Sequence, residues 1–170
     1  MVTKITSPVL TNFVSKHPDL LRNFEIISLA VFITGFILHL SGMKNTDNVL
    51  IFGSVLTALT YFLFAFQIHE SENLETTGVL NSHAFINFIY KITYLSYFTL
   101  FIGAAALILQ KGSSWAVIAA SGILLFSILI ISLISKINDR SKIYNFAFYV
   151  RIVPFITLMI YLVHLVFIQK

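Results

Sequence analysis

The chain has 170 residues, 58% of them hydrophobic and only 11% charged, with a mean hydropathy of +0.90. A soluble domain carries roughly 25% charged residues, so this chain lacks the polar side chains to cover a water-facing surface and reads as an integral membrane protein. It has no cysteine, which excludes disulfides, thiolate metal sites and a cysteine nucleophile, and its formal charge of +4 sits at the ends of apolar runs rather than in the aromatic-interleaved basic patch of a nucleic-acid binder.

Residues 1–23 stand apart. The stretch LTNFVSKHPDLLRNF mixes apolar and charged positions, and Pro18 suits the first turn of a short helix. It reads either as an amphipathic segment on the membrane surface or as a solvated tail. It lacks the basic start, short apolar core and small-residue cleavage site of a signal peptide. Residues 24–170 read as one transmembrane domain of five helices, over 24–40, 49–68, 88–109, 115–134 and 147–167. Each run approaches the roughly 20 residues that cross a hydrocarbon core of roughly 30 Å. Nothing alternates with period two, and backbone polar groups in lipid must be satisfied internally, so the fold class is all-α rather than a barrel.

Charge bias gives an orientation. Lys4, Lys16 and Arg22 precede the first span, and Lys136, Arg140 and Lys142 lie between the fourth and fifth, with Arg151 just inside the fifth. Only Lys44, Lys111 and Lys170 lie on the opposite side, and Lys91 can snorkel back to the first. The expected placement is an inner membrane, with the N-terminus cytoplasmic and the C-terminus outside. The acidic loop HESENLETTGVLNSH has no lysine or arginine and does not vote.

An internal repeat follows from the glycines. GFILHLSGMKNTDNVLIFGSVLTAL and GAAALILQKGSSWAVIAASGILLFS share a pattern in which Gly35, Gly42 and Gly53 correspond to Gly103, Gly112 and Gly122. The first four spans are then two similar hairpins in parallel, with the fifth unpaired. In the first hairpin Gly42 is expected to end one helix, and Asn45, Thr46 or Asp47 to cap the next.

That hairpin, with Gly35, His39, the polar turn and GSVLTALTYFLFAFQ, resembles the N-terminal hairpin of the GldL family, the inner-membrane motor subunit of the Bacteroidota type IX secretion and gliding machinery. The likeness covers about residues 24–68, and Gly53, Ala58, Leu59, Tyr61, Ala65 and Phe66 fit the family's second helix. It implies a hairpin architecture and a Bacteroidota source. The family's intramembrane glutamate falls on Thr57, whose hydroxyl cannot store a proton, so motor activity is not implied.

Candidate chemistry is sparse. An ionisable residue inside a membrane is a functional candidate because burying it is expensive. His39 and His164 fall at similar depth on one side and would suit a haem or metal ligand pair; the simpler expectation for His39 is an interfacial residue bonded to a turn carbonyl. Glu25 and Arg151 either pair across the first and fifth spans or act as independent anchors. In the acidic loop His69, Glu72 and His83 are the best metal set, although their spacing matches no known motif. Gly112, Ala116 and Ala120 form a small-residue stripe for helix contact, within the chain or between chains, and Gly53 and Thr57 a shorter one. No catalytic constellation is present, and no cofactor is required by these residues. The sequence therefore reads as a non-enzymatic polytopic protein of the bilayer that associates with other membrane subunits or with itself. The alternatives are an oligomeric channel or transporter-like protein, and a haem- or metal-binding one.

Overall fold

A proline sets the first boundary. Pro18 follows His17, whose backbone (φ −129°, ψ 55°) leaves the helical region, as the residue before a proline tends to do. The computed structural model therefore shows two helices where the chain turns: α1, Pro8–Lys16, and α2, Pro18–Leu40. Then come α3, Asp47–Phe64, α4, His83–Ile108, and α5, Ser114–Asp139. The structure describes residues 8–43, 46–67, 83–109 and 114–139, and beyond them Ile152, Phe155, Ile156, Leu158, Met159, Ile160 and Leu162.

Four helices are long and apolar enough to cross a membrane: Pro18–Leu40, Asp47–Phe64, Asn87–Ile108 and Ser114–Ile134. Among the described residues all regular structure is helical. Most of the expected fifth span lies outside the described residues; its seven described positions are helical, with Ile152, Phe155 and Leu162 buried. The first span starts at Pro18 rather than at residue 24, since a proline at the first helical position and Asp19 in the first turn favour a helix start there. The segment before it is helical and docked. Val14 of α1 is fully buried, and α1 touches both α2 and α3.

Consecutive helices pack in series, α2 on α3, α3 on α4 and α4 on α5. Half of the α4 span is buried, against 22% of the α2 span, so α4 is central and α2 peripheral. The turn between α2 and α3 is closed by Gly42 at φ 69°, a left-handed conformation that glycine adopts without penalty. Gly42 N–H donates to the His39 carbonyl and Met43 N–H to the Leu38 carbonyl, the paired bonds of a Schellman ending. Thr46 holds the cap position of α3, but its hydroxyl donates back to the Met43 carbonyl (3.0 Å) instead of capping forward.

Glycine decides how close α2 and α3 come. A Cβ on Gly35 would lie 2.8 Å from Leu50 Cα and N, and one on Gly53 would lie 2.7 Å from Phe32 Cα and N. The contact is reciprocal, backbone on backbone. Only half of the expected repeat shares it. Gly103 faces the side chain of Ile118 on α5, with Cγ1 at 2.7 Å and the Ile118 backbone N only at 3.4 Å, and Gly122 faces the side chain of Met159 in the C-terminal segment.

This difference gives a graded expectation. Gly35→Ala and Gly53→Ala must push two backbones apart, at a cost of order 1–3 kcal/mol. Gly122→Ala meets only a flexible methionine and should cost less. Thermal unfolding of the three detergent-solubilised variants, followed by circular dichroism, should rank them in that order.

Candidate functional site

The α2–α3 register places facing residues in a regular series down the hairpin. His39 meets Asp47 near the turn, Gly35 meets Leu50, Phe32 meets Gly53, and Glu25 meets Tyr61 at the far end. Glu25 is 7% exposed, the one acidic or basic side chain among those buried in the described residues. Tyr61 Oη donates to Glu25 Oε1 at 3.1 Å. One turn on, the Ser28 hydroxyl donates to the Glu25 carbonyl at 3.0 Å.

Aromatic packing fixes the tyrosine. Its ring meets Tyr97 at 5.0 Å, Phe155 edge-on at 5.5 Å and Phe101 at 6.0 Å, within the usual range of favourable aromatic pairs. Phe32 of α2 joins through an edge contact with Phe101 at 4.9 Å. Three helices and the C-terminal segment thus converge on the phenol that holds Glu25.

A half-open cleft of about 530 Å³ runs beside this pair. Its polar end is Arg22, Glu25 and Tyr61, and its walls continue along Leu29, Phe32 and Phe36 to Leu158. Ile26 and Ile33 form an outer rim and are more than half exposed. Such volumes are typical of small-molecule pockets, which are mostly apolar with few polar groups.

The other expected sites fare differently. His39 Nδ1 lies 2.9 Å from Asp47 Oδ1, so its partner is the first-turn carboxylate of α3 and not a turn carbonyl. Both side chains are exposed, and such pairs contribute about 0–1 kcal/mol. His164, the second member of the proposed haem pair, lies outside the described residues, as do His69, Glu72 and Arg151. His83 opens α4, and its side chain also lies outside them. Among the described residues no three metal-binding side chains come together. Glu25 is no independent interfacial anchor: it turns inward to α3.

Gly53 and Thr57 are buried in the α2–α3 seam, where the Thr57 hydroxyl donates to the Gly53 carbonyl at 2.7 Å. Ala116 and Ala120 are exposed on the outer face of α5, so among the described residues these two members of the stripe are not packed against another helix. The inward face of α5 instead carries Ser114, Ile118, Ser121, Leu125, Ile128 and Ser132. Gly112 lies outside the described residues.

The Glu25–Tyr61 pair was missed from sequence, although a signal existed. Two antiparallel helices joined by a short turn at Gly42 must place position 25 near position 61. Comparison with protein families, curated proteins and solved structures finds no match for this chain.

Replacing Tyr61 by Phe keeps the ring contacts and removes one hydrogen bond to a buried carboxylate, worth roughly 1.5–3 kcal/mol. Tyr61→Phe should therefore lower the thermal midpoint clearly. His39→Gln, at an exposed pair, should barely move it.

Proposed function

We propose that the chain is a non-enzymatic, polytopic inner-membrane protein that works by association in the bilayer, as a homo-oligomer or as a subunit of a larger membrane complex. Its C-terminal segment supplies a fifth span, with the N-terminus cytoplasmic and the C-terminus outside. The observation that carries this reading is the division of labour on α5. The serines and large aliphatics of its inward face fill the chain's interior, while Ala116 and Ala120 lie one turn apart on the face turned away. An outward lane of small side chains lets a second helix approach closely.

The channel reading gains less support. Ser54, Thr57 and Thr60 of α3 donate to carbonyls of Leu50, Gly53 and Leu56 in their own helix. Hydroxyls so engaged and buried act as packed polar atoms, which favours the association reading. The likeness of the first hairpin to a motor family extends to architecture alone, since Thr57 carries no titratable group.

Native mass spectrometry of the detergent-solubilised protein tests association directly. The wild type should appear as a defined oligomer or with a stoichiometric membrane partner. Ala116→Leu with Ala120→Leu should reduce it to a monomer of unchanged helicity. A wild type that is monomeric and partnerless throughout would refute the reading.

Topology has its own check. A C-terminal reporter that matures only in the cytoplasm should stay silent, and a periplasmic reporter at the same place should be active. The reverse pattern would mean an even number of spans.

A further inference from the structure

We infer that the outer flank of α2 is a binding site for phosphatidylethanolamine, with the lipid phosphate at Arg22, its primary ammonium at Asp19 and one acyl chain along the cleft. Spacing puts these features in line. Asp19, Arg22, Ile26, Leu29, Ile33 and Phe36 recur at intervals of three and four residues, which is one face of a helix. The last five line the cleft, and Asp19 continues the same face one turn beyond its polar end. The 23 residues of α2 span about 34 Å, against roughly 30 Å of hydrocarbon. Its charged first turns therefore come at the level of the lipid headgroups. Deeper in, the walls are aliphatic and aromatic, and the rim at Ile26 and Ile33 is more than half exposed. One chain enters sideways from the bilayer and the other stays outside.

The charges select the head. Asp19 and Arg22 are both exposed, and among the described residues neither makes an ion pair, with the other or elsewhere. Read outward from the membrane interior, the flank offers an apolar trough, then a cation, then an anion. The ligand must present the complement: a chain, then an anion, then a cation. The planar fork of a guanidinium matches a phosphate, and a carboxylate accepts the N–H groups of an ammonium. Phosphatidylethanolamine has this order, its ammonium standing a short two-carbon bridge beyond its phosphate. Phosphatidylcholine keeps the charges, but its quaternary nitrogen has no N–H to donate. Phosphatidylglycerol brings no cation to Asp19, and a fatty acid ends at its carboxylate. Glu25, one turn deeper, is buried and bonded to Tyr61, and the assignment asks nothing of it. The site rests on the chain lying in a bilayer and not on the proposed association through α5, which is another helix.

The experiment titrates palmitoyl-oleoyl phosphatidylethanolamine, phosphatidylcholine and phosphatidylglycerol, which share their chains, into the full-length protein in dodecyl maltoside. Bound lipid is counted by native mass spectrometry. Phosphatidylethanolamine should bind about fivefold more tightly than either of the others, the upper end of what one exposed ion pair contributes. Asp19→Asn should bring it down to the level of phosphatidylcholine and leave phosphatidylcholine unchanged. Arg22→Gln should weaken both alike. Exchanging the two charges, Asp19→Arg with Arg22→Asp, keeps the net charge and should abolish the preference. Both positions are exposed, so these variants test the head contacts and not the packing. In the wild type, phosphatidylethanolamine with a diazirine on its acyl chain should label α2 at Ile26 and Ile33. Equal affinity for phosphatidylethanolamine and phosphatidylcholine in the wild type would overturn the inference. So would a preference for phosphatidylglycerol, a preference for phosphatidylethanolamine that survives the charge exchange, labelling confined to other helices, or a second copy of the chain crosslinked at Ile33 in place of lipid.

Discussion

The close approach of α2 and α3 at Gly35 and Gly53 is the constraint on which the rest of the hairpin depends. Between helices in lipid there is little hydrophobic driving force, because lipid tails are as apolar as leucine, and association rests on close packing instead. Here each glycine admits the backbone of the opposite helix, at Leu50 and at Phe32. Two such contacts about a turn apart fix both the separation and the register. Sliding one helix by a single residue would rotate a side chain into each gap. Once the register is fixed, His39 must meet Asp47 near the turn and Glu25 must meet Tyr61 at the far end. The only buried charge among the described residues is therefore positioned by glycines that lie two and more turns away.

Eight serine and threonine hydroxyls are handled locally. Ser28, Ser54, Thr57, Thr60, Thr93, Ser96, Ser121 and Ser132 each donate to a carbonyl three or four residues back. This satisfies the hydroxyl without asking anything of a neighbouring helix. Small hydroxyl residues then serve as packing units in the seams, where a leucine would force the helices apart. The Glu25–Tyr61 bond is of another kind, since it joins two helices, and the ring cluster of Tyr61, Tyr97, Phe101 and Phe155 surrounds it. A buried acid bonded to a phenol and walled by aromatics is a costly arrangement in a membrane, which is why it marks the candidate site.

Spans were legible because length and apolarity alone specify them. The expected runs at 49–68, 88–109 and 115–134 agree with α3, α4 and α5 to within a few residues where the helices cross the apolar region. The role of Gly42 was equally legible, since a glycine after an apolar run before a polar turn has a standard helix-ending use. Facing was not. Ala116 and Ala120 looked like part of a packing stripe, but both are exposed, while Ser114, Ile118, Ser121 and Leu125 fill the inner face. In a helix that is apolar all round, periodicity no longer tells inside from outside. For the same reason Glu25 looked like an interfacial anchor. Its burial follows from the register with α3, a pairwise property that no single-helix pattern contains.

The near-repeat of glycines is used differently in its two halves. In the first hairpin both glycines serve the α2–α3 contact. In the second, Gly103 serves α5 while Gly122 admits Met159 of the C-terminal segment. Of that segment's described residues, Phe155 lies tilted against Tyr97 of α4, ring centroids 4.0 Å apart. The segment's Phe155 and Leu158 line a half-open trough along the α2 flank from Arg22 to Phe36. In water a trough rimmed by exposed Ile26 and Ile33 would be an aggregation hazard. In a bilayer the same rim faces apolar surroundings and carries no such hazard.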